Sequence, residues 1–148
     1  MRHIRLIAVL GAVVAMLGAI GLAAGDEIAA PAAYERAASG NLTIIDVRRP
    51  SEWRETGLPE GAVGISLHNM VFLERGDFAA DVAAALGGDR DAPVATICAA
   101  GVRSARAEEI LRDAGFTNVV NIGEGMMGND RVPGWIRRAL PRRPCPDC

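Results

Sequence analysis

The feature that most constrains the fold is the alternation of short apolar runs with helical patterns along the chain. Four runs rich in apolar and β-branched residues are predicted to form strands, at residues 42–47, 62–67, 93–97 and 118–122. Helices are predicted at residues 30–39, 77–86, 104–114 and 132–139, with a helical turn at 49–53. Because buried strands that alternate with helices form covered parallel sheets, we expect an α/β fold with a parallel β-sheet flanked by helices on both faces.

Length and composition limit the number of domains and the kinds of partner. Half of the 148 residues are hydrophobic, which is enough for one domain with an ordinary core and short appendages. The net charge is −2 and no basic stripe is interleaved with aromatic residues, so no nucleic-acid partner is expected. One cysteine pair, Cys145 and Cys148, with two scattered histidines does not supply a four-ligand metal site, and we expect neither a metal nor another cofactor.

The first 25 residues have the layout of a targeting segment. Arg2 and Arg5 precede an uncharged run at residues 6–24, and small residues follow at a plausible cleavage position after Gly25. The run is longer than an ordinary signal core and close to a membrane span, so a cleaved signal peptide and a retained membrane anchor both stay open. In either case we expect the rest of the chain to be periplasmic, with membrane contact only through an uncleaved leader.

A cysteine-containing loop stands between a predicted strand and a predicted helix. Cys98 follows the apolar run 93–97, and the loop then runs through Ala99, Ala100, Gly101, Val102, Arg103 and Ser104. Backbone N–H groups of such a loop can bind an anion, and the helix terminus and Arg103 add positive charge. These features favour the thiolate of Cys98, which is the nucleophilic form. Asp46 also ends a predicted strand, at the sheet edge where ligands bind.

Four segments, in the same order, resemble the rhodanese (thiosulfate sulfurtransferase) superfamily. They are Asp46-Val47-Arg48, the stretch from Glu52-Trp53 to Gly61-Ala62, the Cys98–Ser104 loop, and Gly123-Glu124-Gly125 with Gly134-Trp135. The resemblance covers about residues 28–141 and implies one rhodanese-like domain there. Residues 142–148 form a Pro- and Arg-rich tail for which no regular structure is predicted.

The resemblance implies sulfur transfer through Cys98. Four residues separate Cys98 from Arg103, as in rhodanese-like sulfurtransferases, whereas related phosphatases and arsenate reductases use a loop one residue longer. Cys98 is then expected to take sulfane sulfur from a small anionic donor such as thiosulfate. A persulfide on Cys98 would pass the sulfur to a thiol or cyanide acceptor, and the N–H groups of residues 99–104 would hold the anionic persulfide.

Several charged and aromatic side chains receive supporting roles. Arg103 either orients the anionic donor or turns back to Asp46 and braces the loop. Asp46 and Arg48 are expected to support the loop, and Arg48 and Glu52 are interpreted as ion-pair residues of the scaffold. The remaining side chains singled out are core aromatics and a surface or capping residue, namely Trp53, Trp135 and His68.

Cys145 and Cys148 form a Cys-x-x-Cys pair at the carboxyl end. In an exported protein two neighbouring thiols usually oxidise, so a local disulfide without a catalytic task is one expectation. The other is a redox role, in which the pair receives sulfur from Cys98 or keeps an exposed Cys98 thiol reduced. A redox partner protein belongs to this second expectation.

Two other function classes stay open beside an enzyme of sulfur transfer. One is a non-catalytic rhodanese-like module that binds a partner or carries a persulfide delivered by another protein. The other is a phosphatase or arsenate reductase, against which the loop length argues. The presence of Cys98 argues against an inert module but not against a carrier, and the fold alone cannot decide among these classes.

Overall fold

The structure is a computed structural model that describes residues 26–148. The leader expected at residues 1–25 lies outside the described residues. Along the chain the elements are α1 (Ala30–Ala38), β1 (Thr43–Asp46), α2 (Pro50–Thr56), β2 (Leu58–Pro59), β3 (Val63–Gly64), α3 (Phe78–Ala85), β4 (Val94–Ile97), α4 (Val102–Asp113), β5 (Val119–Asn121), α5 (Gly134–Arg137) and β6 (Arg142–Arg143). Among the helices of residues 26–148, none has the length and hydropathy that crossing a bilayer requires.

Four parallel strands form the central sheet in the order β3-β1-β4-β5. β1 and β4 lie side by side with Asp46 opposite Ile97, so both strands end at the same edge of the sheet. Helices cover both faces, and the predicted α/β fold with a parallel sheet is confirmed. The loop that begins at Cys98 therefore leaves the middle of the sheet at its carboxyl edge.

Alternate residues of the strands enter two separate apolar cores, because successive side chains of a strand point to opposite faces. One core contains Val94 and Cys98 of the β4 segment with side chains from α3 and α4, among them Phe78, Val82, Ala107 and Leu111. The other contains Ala95 and Ile97 with side chains from α1 and α5, among them Ala30, Ala33 and Trp135. Trp53 and Trp135 are both buried, as predicted.

Several element boundaries differ from the predicted ones, and two of these differences lie beside the Cys98 loop and β1. α4 begins at Val102, two residues early, because Gly101 adopts a left-handed φ of 91° and the chain turns directly into the helix. The strand predicted at 62–67 is reduced to Val63–Gly64. The Ile65 N–H nevertheless donates to the Asp46 carbonyl at 3.1 Å, which extends the contact with β1 beyond the strand.

The expectation that residues 142–148 form no regular structure is wrong for Arg142–Arg143, which form β6. β6 pairs antiparallel with β2 in a small second sheet. The indole N–H of Trp135, which is fully buried in the second core, donates to the Pro141 carbonyl at 3.0 Å. These bonds satisfy backbone groups that would otherwise need water, so the start of the tail is part of the folded domain.

The end of the tail is fixed to α2. Cys145 and Cys148 are joined by a disulfide. The Cys148 carbonyl accepts a hydrogen bond from Arg54, and Arg142 donates to the Thr56 carbonyl at 2.5 Å. One residue of the tail disulfide, Cys148, therefore contacts an exposed side chain of α2.

Candidate active site

The Cys98 loop has a backbone path that requires glycine at one position. Cys98 follows β4 directly, and Gly101 precedes the first helical residue of α4 with φ of 91°. A Cβ atom on Gly101 would lie 2.2 Å from the carbonyl oxygen of Gly123. Both the left-handed conformation and this close approach exclude a larger residue.

Two donors approach the sulfur of Cys98. The Gly101 N–H donates to Sγ at 3.1 Å, and the Ser104 hydroxyl lies 3.3 Å from Sγ. The Ser104 hydroxyl also lies 3.0 Å from the Gly101 carbonyl oxygen, and its single proton can be donated to only one of the two. A thiolate at Sγ would draw that proton, because charged acceptors form the stronger hydrogen bonds. The first N–H groups of α4 have no intrahelical acceptors and add partial positive charge beside the sulfur.

A turn from the other side of β4 holds the loop in place. The Met126 N–H donates to the Cys98 carbonyl at 2.8 Å, and the Met127 N–H donates to the Ala99 carbonyl at 2.9 Å. Gly125 makes this approach possible, since a Cβ there would lie 2.5 Å from the Ala99 carbonyl oxygen. The carbonyls at the start of the loop are thus turned toward this segment.

Arg103 is bound by Glu52 of α2. Its two terminal nitrogens donate to the two Glu52 carboxylate oxygens at 2.8 and 2.7 Å. The expected alternative in which Arg103 turns back to Asp46 is therefore wrong, because both terminal nitrogens of the guanidinium donate to Glu52 instead. Glu52 also accepts the Arg49 N–H at 3.0 Å, so the same carboxylate caps α2 and braces the loop.

This pairing shifts both titrations. Partial burial raises the pKa of Glu52, but hydrogen bonds from the Arg103 side chain and the Arg49 backbone, with the charges of nearby arginines, lower it to about 2. The hydrogen bonds to Glu52 raise the pKa of Arg103, and this outweighs the opposite effect of burial. The pair stays ionised, and the charge of Arg103 remains close to the loop.

Asp46 and Arg48 form a buried pair that supports α2 rather than the loop. An Arg48 terminal nitrogen lies 2.7 Å from Asp46 Oδ2, and both side chains are almost completely buried. Arg48 also donates to Thr56 Oγ1 and to the Gly57 carbonyl, each at 2.7 Å. Among the described residues 26–148, neither side chain forms a hydrogen bond to the 98–104 loop, which corrects the loop-support role expected for them.

The predicted site residues divide into two groups. Cys98, Gly101 and Ser104 converge on the sulfur, while Ala100 and Val102 face solvent and Ala99 is partly buried. The side chain of Cys98 is only 1% exposed, so the expectation of an exposed thiol is wrong. Within residues 26–148 there is no cluster of three or more His, Cys, Asp or Glu side chains that could hold a metal ion.

Two parts of this site are not evident from the sequence. The first is the contact of the Ser104 hydroxyl with the sulfur. The sequence feature that could indicate it is a serine in the first helical turn after such a loop. The pairing of Glu52 with Arg103 joins residues 51 positions apart, and no local pattern reports it. His68 is partly buried and, with Arg49, Phe72 and Arg103, lines a cleft of about 310 Å³ beside the loop.

Comparison with known proteins agrees with this geometry. The rhodanese-like domain family matches residues 29–129, and the chain belongs to that family. A relative in Rickettsia rickettsii, an uncharacterised protein, is 29% identical over 120 residues that cover 78% of this chain and 95% of the relative.

Two solved structures are similar to this chain. The polysulfide-sulfur transferase homodimer from Wolinella succinogenes has a TM-score of 0.59 and 28% identity, with 80% of this chain and 78% of that chain covered. Rv0390 from M. tuberculosis has a TM-score of 0.64 and 26% identity, with 82% of this chain and 98% of that chain covered.

Gly101→Ala tests the close approach in the loop. We expect it to lower the free energy of unfolding by at least about 2 kcal/mol, because the new Cβ meets the Gly123 carbonyl and the φ is strained. Gly76→Ala is the control, since Gly76 has open space around its Cβ position, and it should change stability by no more than about 0.5 kcal/mol. Equal urea midpoints for the two variants would contradict this account of the loop.

Glu52→Gln tests the ion pair through its pH dependence. Folding lowers the pKa of Glu52 from 4.5 to about 2, so the pair stabilises the protein above pH 4.5 and this stabilisation is lost as the pH falls toward 2. The variant should lose about 1–3 kcal/mol at pH 7 and show a shallower decline in that window by urea unfolding. The exposed neighbour Glu55, as Glu55→Gln, should keep the wild-type profile. Parallel curves for Glu52→Gln and the wild type would rule out the pair as the cause.

Proposed function

We propose that this protein is an extracytoplasmic sulfurtransferase that carries sulfane sulfur on Cys98. The donor is a small anion such as thiosulfate, and the acceptor is a thiol or cyanide. The observation that carries the proposal is the approach of the Gly101 N–H and the Ser104 hydroxyl to Sγ at the start of α4. Membership of the rhodanese-like domain family and the similarity to a polysulfide-sulfur transferase support sulfur transfer as the class of reaction.

In the first half-reaction the Cys98 thiolate attacks the outer sulfur of the donor. With thiosulfate, the new bond joins Sγ to that sulfur, and the S–S bond within thiosulfate breaks. Its electron pair leaves with sulfite. The total charge is the same before and after the step, because thiolate and thiosulfate become an anionic persulfide and sulfite, and no external oxidant is needed. The enzyme then holds a persulfide, which is the covalent intermediate of a two-step transfer.

The loop stabilises the anion before and after this step. The negative charge lies first on Sγ and then on the outer sulfur, which extends from Sγ toward the start of α4. The N–H groups of the first turn of α4 have no intrahelical acceptors and can donate to that sulfur. Fixed donors of this kind need no reorganisation during the reaction, which is why they lower the barrier.

Arg103 acts as a positioning residue in this scheme. Glu52 accepts hydrogen bonds from both terminal nitrogens of Arg103. The guanidinium therefore acts on the donor mainly through its positive charge, and it holds the loop against α2. Its loss would loosen the loop and weaken the attraction for an anionic donor together. The same carboxylate would then lose its main partner beside α2.

The extracytoplasmic location is proposed from the sequence of residues 1–25. Basic residues followed by an uncharged apolar run direct export, whether or not the segment is later removed. The disulfide between Cys145 and Cys148 suits an oxidising compartment. Burial of the Cys98 side chain would protect the free thiol there.

Transfer of sulfur from thiosulfate to cyanide tests the function. Cys98→Ala should abolish it, and Ser104→Ala should slow it by about 10- to 100-fold through loss of one donor to the sulfur anion. The matched control is Ser39→Ala at the end of α1, outside the site, which should keep the wild-type rate.

Wild-type and Cys98→Ala proteins with equal rates would contradict the proposal. Phosphatase activity on an aryl phosphate that equals the thiosulfate activity would favour the competing function class. Thiosulfate-dependent sulfur loading of Cys98 without cyanide turnover would favour a persulfide carrier.

A further inference from the structure

We propose that the exposed segment Met70–Leu73 is a docking surface for the protein that accepts sulfur from Cys98, and that this acceptor is acidic and apolar around its own thiol. The inference rests on the proposed function and names the kind of partner for the same site. It is carried by the exposure of the segment, its hydrogen-bonded turn, its place beside the loop and the charges around it.

Four consecutive large apolar residues of this segment are exposed to solvent. The exposed fractions are 96% for Met70, 68% for Val71, 66% for Phe72 and 64% for Leu73. Single exposed apolar residues are ordinary, but a contiguous group of this kind is typical of a binding surface. The segment adds nothing to either apolar core of the domain.

The turn that displays these side chains is fixed by Asn69. The Asn69 carboxamide oxygen accepts the N–H groups of Val71 and Leu73 at 3.0 Å each, and the Asn69 N–H donates to the Leu73 carbonyl at 2.9 Å. Phe72 has a φ of 64°, a conformation that bulky residues rarely adopt. Strain of this kind persists where the surroundings enforce it, and a preformed surface loses less entropy on binding.

The segment is continuous with the surroundings of the active-site loop. Phe72 lines the cleft of about 310 Å³ that also contains Arg103. Met70 lines the adjoining cleft, which shares His68 with the first. Val102, the first residue of α4, is 80% exposed within the loop itself. A partner seated on Met70–Leu73 would therefore also reach the loop that holds Cys98.

The charges around this surface favour an acidic partner. The two clefts are lined by Arg49, Arg54 and Arg103, and no carboxylate is among their lining residues, all of which lie in the described part of the chain. Glu52 pairs with both Arg49 and Arg103, and because this one carboxylate offsets only part of the charge of the three arginines, the surface keeps a positive excess. The Arg49 guanidinium lies 4.4 Å from the centre of the Phe72 ring, so charge and apolar surface are presented together. A lipid surface could match both features but carries no thiol, and a protein is therefore the occupant that fits the chemistry.

The transfer step needs no co-reactant. The partner's thiolate attacks the outer sulfur of the Cys98 persulfide, and a new S–S bond forms on the partner. The S–S bond to Cys98 breaks, and its electron pair returns to Sγ as the thiolate. The partner leaves with a persulfide, so charge and sulfur are conserved.

Binding of a defined peptide tests the surface independently of the chemistry. The probe is a short fluorescent peptide of leucine and aspartate around one central serine, with a second peptide in which lysine replaces aspartate. The full-length protein should bind the acidic peptide, and the variant Met70→Ser/Val71→Ser/Leu73→Ser should bind it at least about tenfold more weakly by fluorescence anisotropy. Phe72 is left unchanged because of its backbone and its contact with Arg49.

Two controls separate loss of the surface from loss of the fold or of the reaction. Val63→Ser, an exposed apolar residue outside the segment, should bind the peptide as the wild type does. The triple variant should keep the wild-type melting temperature and the thiosulfate-to-cyanide rate, because its changed side chains are exposed. Failure of that rate in the wild type would overturn the proposed function, while the peptide result would still decide the docking surface.

Four binding results would overturn the docking surface, and a fifth, on the oligomeric state, would overturn its proposed occupant. The first three are that the wild type does not bind the acidic peptide, that the triple variant binds it as tightly as the wild type does, and that the wild type binds the lysine peptide as tightly as the acidic one. The fourth such result is that the wild type floats with anionic phospholipid vesicles and the triple variant does not. A concentration-dependent dimer of the wild type that the triple variant loses would assign the surface to a second copy instead. A peptide in which cysteine replaces the central serine can also accept sulfur. The rate of transfer from the Cys98 persulfide to this peptide should be at least about tenfold lower in the triple variant than in the wild type, whereas the rate of transfer to free cysteine should be unchanged.

Discussion

The close packing of the Cys98 loop against the turn at Gly123–Met127 is the constraint on which the rest of the site depends. Two carbonyls of the loop are bound by amides of that turn, and Gly101 and Gly125 are required where the backbones meet. This contact fixes where β4 ends and α4 begins. It thereby brings the Gly101 N–H and the Ser104 hydroxyl to the sulfur, and the uncapped first turn of α4 supplies the electrostatic field.

Two arginine–carboxylate pairs hold the neighbouring helix α2 in place, and one of them joins it to the loop. Asp46 and Arg48 hold the end of β1 against the end of α2, in a site where both charges are buried and must stay paired. Glu52 then joins the start of α2 to Arg103 in the loop. The Cys148 carbonyl accepts a hydrogen bond from Arg54, so the carboxyl end of the chain contacts the same helix that braces the active-site loop.

The sequence predicted the fold class because alternating apolar runs and helical patterns report burial directly, residue by residue. It also located Cys98 and the glycine of its loop, since strand, loop and helix are adjacent along the chain. It failed for contacts that depend on distant segments, such as the choice of Glu52 rather than Asp46 as the partner of Arg103. The folded start of the tail was missed for the same reason, because β6 exists only through its pairing with β2.

The central claim is that Cys98 carries the transferred sulfur on its Sγ atom. Intact mass spectrometry after brief exposure to thiosulfate tests this claim most directly. We expect the protein to gain the mass of one sulfur atom, peptide mapping to place this atom on Cys98, and cyanide to remove it. The disulfide between Cys145 and Cys148 should remain intact throughout. A protein that gains no sulfur, or that carries it only on the tail cysteines, would contradict the account.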